Sequence, residues 1–328
     1  MNSSTRLDSL IDMFSMNFIS FTLCVIVNCI NGAFVLTYFK SEAFQRDPRY
    51  VLYIHLVIND MIMMTFSVAL QIMTYTLSLG LGPCCTILLI LITTNNAVMR
   101  VILSSYRISP LNLAGMAVER YIAVCQPLHH VHICTVRRAY ALIALIWIIS
   151  FIPALTDVVI VLATRPLSVF STSVVCSPNH VYNTSYHKAQ SAVVQVLLFC
   201  FVFLTVITTY LKVVCAARAA SGSDKASARN ARNTILLHGV QLLLCMLTFI
   251  APFLNQLLLS IWPLRRTKIL FTTFLFTNVL PRLLSPLIYG IRDKKFSSHI
   301  RLHFCCKCCS SVEKRMDLIR LWRRFKRP

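Results

Sequence analysis

Charge is scarce in this chain of 328 residues, and negative charge scarcer still: 13% of residues are charged, with 11 Asp and Glu against 32 Lys and Arg. Soluble domains carry about a quarter charged residues, so this composition excludes an ordinary soluble fold. Glycine is also rare, at seven residues, and the 57% of hydrophobic residues stand in continuous blocks. Blocks of about 20 apolar residues cross a bilayer as helices. The lack of apolar–polar alternation excludes a membrane β-barrel. The fold class that follows is an all-α membrane protein.

Other absences narrow the function. Met1–Asp12 is polar and lacks an apolar core followed by a small-residue cleavage site, so the first span is expected to direct insertion itself. No nucleophile, acid–base pair or metal constellation suits an intramembrane enzyme. No catalytic residue, metal or cofactor is therefore expected. Of the 14 cysteines, Cys24, Cys29, Cys200 and Cys245 lie in apolar runs and read as small apolar residues. Cys84, Cys85 and Cys176 lie near loops, where cross-linking outside the membrane is chemically open to them. Cys305, Cys306, Cys308 and Cys309 follow the last apolar run with no histidine at ligand spacing, and palmitoylation is the expected modification. The net charge of +21 would suggest nucleic acid in a soluble chain. Here the basic residues sit in short connectors and the tail, so anionic inner-leaflet lipid is the expected partner and nucleic acid is not.

What is present is a set of seven apolar runs: Phe18–Phe39, Val51–Leu79, Thr86–Cys125, Tyr140–Ala163, Ala189–Cys215, Thr234–Trp262 and Ile269–Ile291. The expected organisation is an extracellular tail at 1–17, a seven-helix bundle at 18–291 and a cytoplasmic segment at 292–328. Most basic residues fall on one side of such a bundle, from Lys40, Arg46 and Arg49 through Arg137 and Arg138 to the tail. That bias places the amino terminus outside. Asn2 and Asn183, each in an Asn-x-Ser/Thr sequon, then lie outside as glycosylation candidates.

Polar residues inside the runs point to a site. Asn31 alone reads as a residue joining helices by hydrogen bonds. Asp60, with His55 and Asn59 beside it, is too costly to bury without a partner and is expected to face the bundle. Asn278, Arg282 and Ser285 occupy the seventh run. Pro153, Pro252 and Pro286 each remove one backbone hydrogen bond and permit a bend. In the stretch from Ser109 to His129, an apolar helix reaches Glu119-Arg120-Tyr121, continues one turn and is expected to stop at Pro127. After Ile291, Arg292-Asp293-Lys294-Lys295-Phe296 begins an amphipathic segment with Ile300, Leu302 and Phe304, expected to lie along the membrane surface.

These pieces resemble a rhodopsin-like G-protein-coupled receptor: Asn31, Asp60, Glu119-Arg120-Tyr121, Trp147, Tyr210 and Ser285-Pro286-Leu287-Ile288-Tyr289. Pro110-Leu111-Asn112-Leu113-Ala114, Met116 to Cys125, Pro127-Leu128-His129, Lys225-Ala226-Ser227-Ala228-Arg229, Leu280-Pro281-Arg282 and Tyr289-Gly290-Ile291-Arg292-Asp293-Lys294 are similar to odorant receptors, especially fish-type members. The resemblance implies a plasma-membrane receptor that binds a small odorant among its third, fifth, sixth and seventh helices and activates a stimulatory heterotrimeric G protein. It implies that Glu119, Arg120, Tyr121, Tyr210, Pro286 and Tyr289 form the coupling switch, and that Asn31, Asp60, Asn278 and Ser285 form a polar core. Sodium binds such a core in many relatives; Ser285 in place of the usual asparagine argues against it here.

The resemblance also implies a disulfide between Cys176 and the start of the third span, at Cys84 or Cys85. A continuous helix from there to Arg120 would run roughly 54 Å at ~1.5 Å per residue, against about 40–45 Å for the membrane with its interfaces. Asn95–Arg107 therefore reads as an insertion of about three turns. It puts Arg100, Ile102, Leu103, Tyr106 and Arg107 where a ligand pocket is expected. Either the arginines recognise an acidic ligand, or the insertion impairs folding or signalling; the second reading is the one favoured. The competing functions are a non-olfactory receptor of the same type and a transporter or channel, which the absence of internal repeats and of further midplane charges disfavours.

Overall fold

The computed structural model describes residues 3–78, 108–164, 185–220, separate helical residues between 239 and 261, 262–293 and 295–300. Everything regular in that set is helical. We number the helices α1 (Ser3–Lys40), α2 (Glu42–Gln45), α3 (Pro48–Ser78), α4 (108–125), α5 (Pro127–Ile133), α6 (Val136–Thr164) and α7 (Ser185–Ala220). α8 comprises the helical residues between 239 and 261. α9 (Arg266–Phe274) runs through a π-helical turn (Leu275–Val279) into α10 (Leu280–Arg292), and 295–300 form α11. Among the described residues five helices are long and apolar enough to cross a membrane: Ile11–Lys40, Pro48–Ala69, Val136–Pro153, Ala192–Ala216 and Pro263–Ile288. They correspond to the first, second, fourth, fifth and seventh expected runs.

The expected boundaries shift at one place above all. Residues 3–17, expected as a tail, are helical and continuous with the first span. No proline or glycine stands before Gly32 to interrupt the backbone, so nothing breaks the helix where the apolar pattern begins. At the other end of the segment, α3 starts where the local chemistry dictates. Pro48 takes the first helical position, where its missing N–H costs nothing, and Asp47 Oδ1 accepts the Arg49 N–H at 3.0 Å as the cap. α4 stops at Cys125 ahead of Pro127, as expected, and Pro127 opens the short helix α5. Arg138 Nη1 donates to the His132 and Ile133 carbonyls at 2.9 and 3.2 Å, satisfying the end of α5. α6 and α10 continue through Pro153 and Pro286 respectively.

Burial is graded across the bundle. The Pro48–Ala69 stretch of α3 is 61% buried, whereas Ala192–Ala216 of α7 is 11% buried, so α3 is the packing centre and α7 a wall. Phe14, Phe18, Ile148, Leu197 and Leu204 point outward, the arrangement suited to acyl chains as solvent. The main core joins Phe34 and Tyr38 of α1, Tyr50 to Val57 of α3, Leu111 to Ala117 of α4, Ile146 of α6 and Val202 and Val206 of α7. Apolar burial alone does not drive helices together in lipid; close approach and polar contacts do. Gly115 provides such an approach, because a Cβ built there would stand 3.0 Å from Leu142 Cδ2 on α6. Gly115→Val is expected to destabilise the purified protein by about 1–3 kcal/mol through overpacking, read as a lowered Tm, with Gly115→Ala milder because the Leu142 side chain can move.

Candidate functional site

Two polar clusters meet in the described bundle. The first lies midway along α3, at the first described turn of α4 and at the start of α10. Asn59 and Asp60 are adjacent on α3, and both are buried. Ser109 of α4 joins them: its Oγ accepts from Asn59 Nδ2 at 2.8 Å and donates to Asp60 Oδ1 at 3.1 Å. Arg282 of α10 completes the set, with Nε 3.5 Å from Asp60 Oδ1 and both side chains under one-tenth exposed. Its Nη1 donates to the carbonyl and to Oδ1 of Asn278, each at 3.2 Å, and lies 3.8 Å from Met64 Sδ.

Helical spacing explains the geometry. Asp60 and Met64 are four apart on α3, and Asn278 and Arg282 four apart across the π turn, so each pair shares one face. The π turn, closed by Leu280 N–H to Leu275 O, is a local widening of a kind found often at functional sites. A carboxylate and a guanidinium at such depth are tolerable only together, since removing one partner leaves an uncompensated buried charge at a cost of about 3–5 kcal/mol.

The structure thus brings Asp60, Asn278 and Arg282 together. Ser285, one turn beyond Arg282, is buried too. Asn31 is 1% exposed, yet its carboxamide makes no hydrogen bond to any described residue; the expected four-residue polar core is therefore centred instead on the Asp60–Arg282 pair. Sequence reasoning missed Ser109 as a member, although it opens the stretch leading to Arg120 and lies three turns before it. Nearby, Trp147 Nε1 donates to His55 Nε2 at 2.8 Å and Asn112 Nδ2 to the Leu52 carbonyl at 2.8 Å, tying α6 and α4 to α3.

The second cluster lies at the opposite end of α4 from Ser109. Glu119 is 6% exposed, with Oε1 3.0 Å from His130 Nε2 on α5 and Oε2 3.7 Å from Arg120 Nε. Tyr121 faces Lys212 of α7, whose Nζ sits 5.2 Å from the ring centroid, close enough for a cation–π contact. Tyr210 lies against Gly239 of α8. Asp47 borders the cluster. Burial pushes its carboxyl up, but the hydrogen bonds and charge of Arg49, with the charge of Arg120, outweigh this and hold it below its ordinary value. A depressed carboxyl stabilises the fold above its unfolded-state pKa and loses that contribution as pH falls through the folded value, so the cap of α3 is intact at neutral pH. His130 was not expected as a partner of Glu119; only the return of α5 toward α4 places it there.

The remaining expected residues divide plainly. Pro286 is buried within α10. Tyr289 lies on α10, its side chain outside the described residues. Cys84, Cys85 and Cys176, the ligand-pocket set Arg100, Ile102, Leu103, Tyr106 and Arg107, the sequons at Asn2 and Asn183, and the cysteines from Cys305 to Cys309 all lie outside the described residues. Among the described residues no group of three or more His, Cys, Asp or Glu could hold a metal ion.

With this geometry in place, the family description "7 transmembrane receptor (rhodopsin family)" matches residues 30–289. The chain belongs to that family. Rhodopsin-family membership makes it a multi-pass protein of the plasma membrane and a receptor rather than an enzyme. Its similarities within the family are to odorant receptors. Odorant receptor 131-2 of Danio rerio is 31% identical over 281 residues, covering 84% of this chain and 82% of that relative. Olfactory receptor 4K3 of Homo sapiens is 24% identical over 313 residues, covering 86% and 88%. Olfactory receptor 4N5 of Homo sapiens is 26% identical over 204 residues, covering 58% and 60%. Arg120 and Asp60 both fall inside the matched segment.

Proposed function

We propose that this receptor detects a small odorant within its helix bundle and activates a stimulatory heterotrimeric G protein. The observation that carries the reading is the coincidence of odorant-type relatives along most of the chain with a Glu119–Arg120 pair held at one end of α4 beside the basic connectors. In this reading seven helices span the membrane with the amino terminus outside, α11 continues along the inner surface, and the basic tail and palmitoylated Cys305–Cys309 cluster hold anionic lipid. Cys176 bonds to Cys84 or Cys85, and Asn2 and Asn183 carry glycans.

The mechanism is a population shift. A stimulus favours the active arrangement only by the difference in its affinity for the two states. Stimulus binding favours a bundle opened on its cytoplasmic side, where Arg120 leaves Glu119 to meet the G protein and Tyr210 and Tyr289 turn inward beside it. Where the inserted stretch leaves a signalling receptor, Arg100 and Arg107 favour an acidic stimulus, because a guanidinium binds carboxylates through charge-assisted hydrogen bonds. The test is a panel of odorants, weighted toward water-soluble acids, on cells expressing the full chain with a cyclic AMP reporter. A concentration-dependent rise absent from untransfected cells is expected. Silence across the panel from receptor shown to be at the cell surface would count against the reading.

A further inference from the structure

A small cation beside a buried carboxylate needs several oxygen atoms with free lone pairs, as hard cations generally do. The oxygens of the polar core include Asp60 Oδ1, Ser109 Oγ and Asn278 Oδ1. Each is already engaged by a donor from the protein itself. Asp60 Oδ1 takes the Ser109 hydroxyl and faces Arg282 Nε. Ser109 Oγ takes an Asn59 N–H, and Asn278 Oδ1 takes Arg282 Nη1. Arginine does not lose its proton in proteins, so the guanidinium is a permanent positive charge against the Asp60 carboxylate. A second cation there would sit beside a like charge in a medium that screens poorly. The residues present do not fit sodium, and the cause is Arg282 more than the serine at position 285.

We propose that the Arg282 guanidinium is the resident cation of this core, replacing a diffusible monovalent ion and making the receptor's stability independent of sodium. The consequence is mechanical as well as ionic. A free ion can leave the core when the helices move; a guanidinium is covalently part of α10 and binds it directly to Asp60 of α3. Any rearrangement that separates α10 from α3 must break this ion pair or carry both helices together.

The test is the melting of purified full-length receptor in sodium chloride against choline chloride at equal ionic strength. It needs neither agonist nor G protein, so its outcome is separate from the signalling class. Wild type is expected to melt at the same temperature in both salts. Arg282→Met, which frees the carboxylate, is expected to melt lower in choline and to gain in sodium; a site of about 10 mM affinity gives roughly 3 °C at 0.1 M. Adding Asp60→Asn to Arg282→Met is expected to remove the sodium gain and to recover stability, because both charges are then gone. Arg282→Lys retains a cation and is expected to stay indifferent to sodium. A wild-type gain in sodium that Asp60→Asn abolishes would overturn the proposal, as would an Arg282→Met receptor indifferent to sodium. Should Arg282→Met accumulate too poorly to purify, restoration of its surface level by the added Asp60→Asn supports the pairing, and failure to restore it overturns it.

Discussion

Arg120→Ala is expected to abolish stimulus-evoked cyclic AMP while leaving surface expression largely intact. The separation of the two effects follows from the geometry. Arg120 contributes little to the fold: its side chain is 25% exposed and its contact with Glu119 is a loose 3.7 Å, and ion pairs near water are worth about 0–1 kcal/mol. Glu119 is the buried member, and it keeps His130 at 3.0 Å when Arg120 is gone. Truncating Arg120 therefore removes a group poised at the end of α4 while Glu119 keeps a hydrogen-bond partner in His130. The measurement pairs a cyclic AMP reporter with surface staining of the same cells, using a stimulus identified in the odorant panel. Signalling at the wild-type level in this variant would show that the coupling role assigned to Arg120 is wrong.

Phe296→Ala is the substitution expected to cost the fold most. Phe296 is fully buried, in contact with four aromatic rings contributed by three helices. Its ring stacks on Phe34 of α1 at 5.6 Å and on Tyr50 of α3 at 5.6 Å, and meets Phe44 of α2 at 4.9 Å and Tyr53 of α3 at 6.1 Å. Asp293 sets the ring in place from both sides: its Oδ1 accepts the Phe296 N–H at 3.1 Å and its Oδ2 the Tyr50 hydroxyl at 2.6 Å. Removing a buried phenylalanine typically costs about 3–5 kcal/mol, which for a chain of this size lowers Tm by roughly 10 °C. Phe296→Leu fills most of the volume and is expected to lose far less. Equal melting temperatures for wild type and Phe296→Ala would show that the aromatic seat does not support α11.

The positions where expectation and structure agree share a physical cause. The stop at Pro127 was legible because proline removes a backbone donor and opens a new helix at its first position. Asp60 was legible as a residue in need of a partner, because hydrocarbon offers an isolated carboxylate nothing. The helical extension back to Ser3 was not legible, since polarity marks where a span leaves lipid and says little about where a helix ends. The partner of Asp60 was not legible either. Arg282 stands in the sequence among apolar residues with several polar neighbours, and nothing local distinguishes a counter-ion of Asp60 from a residue reaching for water. Phe296 likewise reads as one tooth of an amphipathic segment, not as the centre of an aromatic seat.

The motifs around Arg120 and Pro286 carried the resemblance to the rhodopsin family, while composition and periodicity alone determined that this is a helical membrane protein. Those properties are summed along the chain, and a bilayer imposes the same length and polarity rules on every span. Only the tertiary structure decided that Asp60 meets Arg282, 222 positions further along the chain, that Ser109 links α4 to that pair, and that His130 returns to Glu119. Pairings between helices depend on rotation and depth, which a 3.6-residue repeat leaves free until neighbouring helices pack. For this receptor that freedom is resolved at α3, where an arginine from the far end of the chain supplies the positive charge its buried aspartate requires.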